Sequence, residues 1–153
     1  MLADLHQVDA ALIAYRRSCN DVWLTLVDVI TDAMHLASYM RTDFERCLDG
    51  DAKAQPDERP LSAMPNVSSS VEPLHNTDDA AAGDHLFDNY VHASDAAAAL
   101  RVHMADDPYP TFSKALYVLL NDLRAYAHGL GFDFDDVMRA ASQAHRVDQH
   151  KAK

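Results

Sequence analysis

Residues 21–40 have the sequence DVWLTLVDVITDAMHLASYM, in which apolar side chains recur every three or four positions. Such a repeat places them along one side of an α-helix, and the stripe is wide enough to face a core. Asn20 or Ser18 can cap the start of the helix by accepting a hydrogen bond from a backbone N–H. The stretch therefore predicts a long, core-facing helix from Asp21 to about Met40.

Similar periodicity on both sides of this stretch predicts further helices. They are expected over Leu2–Tyr15, from Thr42 or Asp43 to about Ala52, over Asp84–Ala105, from the cap Thr111 to the turn Gly129–Gly131, and from Asp133 or Asp135 to about Val147. The sequence thus predicts an all-α bundle of about six helices, which forms a single domain over residues 1–153.

Residues 50–83 lack this periodicity and contain several prolines and the run Ser68–Ser70. A segment of this length without regular structure is unusual inside a compact domain. We expect a long proline- and serine-rich linker, which is either mobile or laid over the surface as a functional loop.

The composition is that of a globular but strongly acidic protein, with 24 acidic and 13 basic residues and a formal net charge of −11. This charge disfavours nucleic acid and anionic membrane surfaces as partners and favours a basic partner or a metal ion. Cys19 and Cys47 are too few for a disulfide framework, and we expect both to be packed and reduced. The first residues lack the features of a signal peptide and no apolar stretch is long enough to span a membrane, so a cytoplasmic location is expected.

The two halves of the chain align with each other without a gap. Leu26, Asp32, Ala37, Asp43 and Phe44 fall over Leu116, Asp122, Ala127, Asp133 and Phe134. An internal duplication would give two similar helical hairpins related by a pseudo-twofold axis, joined by the linker. Chance alignment of two amphipathic helices is the alternative.

Two polar stripes at helical spacing are candidate metal sites. The first contains Thr25, Asp28, Asp32, His35 and Tyr39, and the second contains His85, Asp88, His92 and Asp95. The carboxylates suit magnesium or manganese, whereas the imidazole favours manganese or zinc, and stripes that face each other would complete the ligand set. The alternative is that each stripe is the solvated face of an amphipathic helix.

The segment ALYVLLNDLRAYAHGLGFDFDD at residues 115–136 resembles the late helix-turn-helix of the all-α nucleotide pyrophosphohydrolases, the MazG-like group. In that group an Asp-bearing apolar helix precedes a leucine-glycine turn and an Asp that opens the next helix, and residues 26–48 resemble the same unit more faintly. The family binds magnesium through a Glu-Glu-x-x-Glu helix and a Glu-x-x-Asp helix. Here Val29 and Leu119 stand three positions before Asp32 and Asp122, and no Glu-Glu-x-x-Glu occurs. The resemblance thus implies a helical-bundle relative that has lost the hydrolase site.

Two functions are compatible with these observations. The first is a non-enzymatic acidic interaction protein, a small regulator or inhibitor of phage or mobile-element type, that presents Asp78, Asp79, Asp133, Asp135 and Asp136 to a basic protein partner. The alternative is a metal-dependent nucleotide pyrophosphohydrolase that uses Asp28, Asp32, His35 and Asp122 with magnesium or manganese. Asp residues at a helix start also have a purely structural role at the helix dipole. A homodimer formed through the helix at 23–40 or at 112–127 is a further expectation, since small bundles often complete their cores between chains.

Overall fold

A computed structural model of the chain shows the predicted all-α bundle. It describes residues 10–12, 21–65, 80–104 and 109–151, and the side chains of all of these except 80–90 and 148–151. The helices with defined bounds are α1 (Val22–Tyr39), α2 (Phe44–Leu48), α3 (Ala80–His103), α4 (Phe112–Gly129) and α5 (Phe134–Lys151). Residues 10–12 are also helical, which gives six helices in this part of the chain and no strand. The rest of the helix predicted over Leu2–Tyr15, and Cys19, lie outside the described residues.

The first hairpin joins α1 to α2 through a tight left-handed turn. Asp21, rather than the predicted Asn20 or Ser18, caps α1 and accepts a hydrogen bond from the N–H of Leu24 at 3.2 Å. Arg41 adopts a positive φ of 58°, and the N–H of the next residue donates to the carbonyl of Ala37 at 2.9 Å. Asp43 then caps α2 by accepting from the N–H of Glu45 at 3.0 Å. The connection from α1 to α2 is therefore only four residues long.

The second hairpin, α4 and α5, repeats this construction at the same offset as the sequence alignment. The two long helices α1 and α4 each contain 18 residues. Gly131 has a positive φ of 81° where the first hairpin has Arg41, and the N–H of Phe132 donates to the carbonyl of Ala127 at 2.9 Å. Asp133 accepts from the N–H of Asp135 at 2.9 Å, as Asp43 does in the first hairpin. The repeat thus extends from the sequence to the caps and the turn hydrogen bonds.

Packing between the hairpins is reciprocal. The long helix α1 of the first hairpin packs on α5 of the second, and the long helix α4 of the second packs on α2 of the first. Such an exchange is what a pseudo-twofold arrangement of two hairpins produces. The helix α3 stands outside the repeat and packs mainly along α1. It is rich in small buried residues, namely Ala93, Ala96, Ala97 and Ala99, which allow the two helix backbones to approach closely.

The structure describes both ends of the segment predicted as a linker over residues 50–83. Its first part lies over the bundle: the N–H of Arg59 donates to the carbonyl of Met40 at 3.0 Å, and Met64 is buried. Arg101 of α3 donates to the carbonyl of Met64 at 3.1 Å. At the other end α3 begins at Ala80, because the alanine run there has high helix propensity. Residues 66–79 lie outside the described part of the chain.

Glu58 anchors this surface segment to both hairpins. Its Oε1 accepts a hydrogen bond from the hydroxyl of Thr42 at 3.0 Å and another from the hydroxyl of Ser113, at the start of α4. The segment is therefore attached by hydrogen bonds as well as by the burial of Met64. Glu58 thus attaches the first part of this segment to both hairpins, and the choice between the two alternatives for residues 50–83 stays a prediction.

Three further helix ends differ from the prediction. The short helix α2 ends at Leu48 rather than near Ala52, because Gly50 turns the chain with a φ of 103°. The helix α3 ends at His103, two residues earlier than expected. The helix α5 continues to Lys151, past the predicted end near Val147, since no glycine or proline follows to stop it.

Candidate functional site

Asp32, the central carboxylate of the first predicted stripe, lies inside the bundle instead of on a solvated face. Its side chain is 7% exposed, and its Oδ1 is 2.8 Å from Nδ1 of His92 on α3. A carboxylate can only accept, so Nδ1 of His92 carries the proton of this hydrogen bond. The two predicted stripes therefore do face each other, at Asp32 and His92.

Two more histidines complete this site, which we call the imidazole cluster: Asp32, His35, His92 and His145. The ring of His35 stacks on the ring of His92, with centroids 5.1 Å apart and planes inclined by 16°. Its other neighbour is His145 of α5, with centroids 4.6 Å apart and planes inclined by 64°. The cluster thus joins α1, α3 and α5 through three imidazole rings and one carboxylate.

An open groove of about 410 Å³ lies beside the cluster, between the end of α1, the start of α2 and the second half of α5. His145 belongs to both the imidazole cluster and this groove. Apolar, hydroxyl-bearing and charged side chains all line the groove. Its lining consists of Met34, Ala37, Ser38, Thr42, Asp43, Phe44, Glu45, Ser142, His145 and Arg146.

Asp122, the equivalent of Asp32 in the second hairpin, is also held by a histidine of α3. Its Oδ2 lies 2.8 Å from Nε2 of His103, and the two side chains are 5% and 1% exposed. Within the described residues, Nδ1 of His103 is buried and has no hydrogen-bond partner. The repeated aspartates therefore have the same kind of partner on the same helix, and the second pair is much more deeply buried than the first.

The four residues predicted to bind a metal are divided between three places in the bundle. Asp32 and His35 belong to the imidazole cluster, Asp28 is exposed on α1, and Asp122 belongs to the pair with His103. The two histidine partners are separated by about three turns of α3, roughly 16 Å. Among the described residues, no group of three or more His, Cys, Asp or Glu has an arrangement that could hold a metal ion. The metal site, with magnesium or manganese, stays a prediction.

The acidic residues predicted to contact a partner lie at the start of α5. Asp133, Asp135 and Asp136 are all exposed, and Asp136 pairs with Arg139 at 3.2 Å. Asp133 also caps the helix, so the structural role considered for these residues is present together with their exposure. The predicted contacts Asp78 and Asp79 lie outside the described residues.

An apolar surface that the sequence did not indicate adjoins these carboxylates. The indole of Trp23 packs edge-on against the ring of Phe132, with centroids 5.7 Å apart. Leu24 directly follows Trp23, Leu130 lies two residues before Phe132, and both leucines are 47% exposed. We call these four residues the aromatic patch. The patch could have been recognised in the sequence from Leu130 and Phe132 on either side of Gly131, because turns usually contain polar residues.

The thiol of Cys47 is free and buried, as expected from the sequence. Burial, followed by the nearby charge of Glu58, raises the pKa of Cys47 from 9.0 to about 11. Because the thiolate is the reactive form, Cys47 is an inert packing residue at neutral pH.

Comparisons with known proteins add no relative. No family model, no curated protein and no solved structure gives a significant match to the chain. The resemblance to the MazG-like group therefore stays a prediction. Within the described residues, no helix combines the length and the apolarity needed to cross a membrane.

Proposed function

We propose that the protein is a non-enzymatic acidic interaction protein, a small regulator or inhibitor that binds a protein partner through that partner's basic surface. One observation carries the proposal. The two repeated aspartates, Asp32 and Asp122, are engaged by histidines within the fold, whereas the carboxylates at the start of α5 are exposed.

This division separates structural from surface carboxylates. A carboxylate held against an imidazole in a protein interior has its strongest interaction already formed there. Asp133 and Asp135 have no ion-pair partner among the described residues, so their charge acts on the surroundings. With a net charge of −11, the protein attracts basic surfaces over a range of about one Debye length, roughly 8–10 Å. The same charge repels nucleic acid.

The proposal is tested by capture of partners on the immobilised protein from a cell extract at low salt. The variant Asp133→Asn/Asp135→Asn/Asp136→Asn removes three charges and keeps the helix cap, because Asn caps nearly as well as Asp. We expect at least one protein that the wild type retains, that salt elutes and that the variant fails to retain. Retention should not change with chelator.

The control is a second triple variant with the same change of charge elsewhere on the surface, Glu45→Gln/Asp49→Asn/Asp57→Asn. It should retain the partner nearly as well as the wild type does. Equal retention by all three proteins would refute a role for the start of α5, and retention that requires a divalent ion would favour the hydrolase instead.

A further inference from the structure

We infer that the aromatic patch, formed by Trp23, Leu24, Leu130 and Phe132, is a docking surface for a basic amphipathic segment of the protein partner. The inference rests on the proposed function and gives the partner's chemistry. It predicts a segment with apolar side chains on one side and lysine or arginine on the other.

The geometry of the patch brings two distant parts of the chain together. The ring contact between Trp23 and Phe132 joins the first turn of α1 to the turn between α4 and α5. Trp23 and Phe132 are only partly buried against the core, and Leu24 and Leu130 are nearly half exposed. Clusters of aromatic and aliphatic side chains that are partly open to solvent are the usual anchors of protein interfaces.

Exposed carboxylates border the patch at the start of α5. Asp133 directly follows Phe132, and Asp135 lies in the first turn of the helix. An apolar centre with a charged rim is the usual composition of a transient interface. The sign of this rim selects a partner that carries positive charge around its apolar residues.

The same rim disfavours a second copy of the chain as the occupant. In a twofold interface the same patch meets itself, so the carboxylates of one copy would face those of the other. Like charges brought together at an interface repel each other and weaken the association. A basic segment has no such repulsion and gains the contact with Asp133 and its neighbours.

The test uses the intrinsic fluorescence of Trp23, which is the only tryptophan of the chain. The probe is a synthetic helical peptide with leucines on one side and lysines on the other, which contains no tryptophan. A second peptide of the same charge has serines in place of the leucines. We expect the lysine–leucine peptide to shift the Trp23 emission to shorter wavelength and to bind more tightly than the lysine–serine peptide.

Matched variants locate the binding site. Leu130→Ser, and independently Leu24→Ser, should weaken the lysine–leucine peptide about tenfold, because each removes an apolar contact of the patch. Val147→Ser is the control, since Val147 is 48% exposed but lies at the far end of α5, roughly 20 Å along the helix. It should leave the affinity unchanged, and circular dichroism should show that all three variants fold.

The other outcomes separate the inference from the proposed function. Equal binding of both peptides, with no effect of Leu130→Ser, would mean recognition by charge alone; the patch would be refuted and the acidic interaction protein would stand. Failure of both peptides to bind would refute the patch, and the capture experiment would then decide the proposed function by itself. A dimer in sedimentation that Leu130→Ser converts to monomer would assign the patch to a second copy and overturn the inference.

Discussion

The pair of His103 and Asp122 makes a sharp prediction about stability. His103→Leu replaces the imidazole by a side chain of similar size and deprives Asp122 of the hydrogen bond at 2.8 Å. The two side chains are 1% and 5% exposed, so water cannot take the place of the lost partner. Removing one partner of a buried pair costs about 3–5 kcal/mol. This is a large part of the 5–15 kcal/mol that stabilises a typical domain.

The equivalent pair in the first hairpin is the internal control. His92 is 38% exposed, so water and salt screen its interaction with Asp32. For His92→Leu we expect a loss of about 1 kcal/mol or less. The double variant His103→Leu/Asp122→Leu should be about 2 kcal/mol more stable than His103→Leu alone, because it leaves no buried carboxylate without its imidazole.

Urea unfolding followed by circular dichroism measures all four proteins, with an unchanged m-value as evidence that the unfolding reaction is the same. The reasoning would be refuted if His92→Leu cost as much as His103→Leu. It would also be refuted if the double variant were no more stable than His103→Leu, since the unpaired carboxylate of Asp122 would then carry no cost.

Three more predictions concern the turns, the thiol and the surface segment. Both turn positions have a positive φ, which glycine adopts more easily than other residues. In thermal melts, Arg41→Gly should therefore raise the free energy of unfolding by up to about 1 kcal/mol, and Gly131→Ala should lower it by about 1 kcal/mol. Changes of the same sign in the two variants would contradict this. Burial raises the pKa of Cys47 from 9.0 to about 11, so as the pH rises the thiol ionises first in the unfolded chain. The free energy of unfolding should therefore fall by up to about 2.7 kcal/mol between pH 9.0 and about pH 11. Cys47→Ala should remove that part of the pH dependence, and an unchanged slope in urea titrations would disprove the assignment. Glu58→Ala removes the acceptor of two hydroxyl donors and should lower the free energy of unfolding in urea by about 2–3 kcal/mol. Asp57→Ala, at the exposed neighbour, should lower it by less than about 0.5 kcal/mol. Equal losses in the two variants would mean that Glu58 does not anchor the surface segment.

The hairpins were predictable because their signals are local. An apolar stripe and an Asp or Thr cap define α1 and α4, and both helices end within one residue of the expected position. The turn is also a local motif, since left-handed backbone at Arg41 and Gly131 reverses the chain in both halves. Ends without such a signal were placed less well, as at the alanine-rich start of α3.

The site was only partly predictable because it depends on contacts between distant helices. The spacing of the first stripe identified Asp32 and His35, but it could not show that both are buried or that His92 is their neighbour. His145 was missed although Val137, Ala141 and His145 share one side of α5, which places an imidazole in line with apolar residues. Nothing local to the sequence marks such a residue as a contact of α1.

The two histidine–aspartate pairs have a structural consequence for α3. Alanines dominate its buried surface, and a row of similar small side chains fits a neighbouring helix in more than one register. His92 and His103 break this uniformity, because each must meet a carboxylate at 2.8 Å, one on α1 and one on α4. A shift of α3 by one turn would move both imidazoles about 5.4 Å and leave buried polar groups without their partners. We therefore interpret the repeated aspartates as the groups that define the register of α3 between the two hairpins. This role accounts for the duplicated carboxylate in a bundle whose described residues form no metal-binding group.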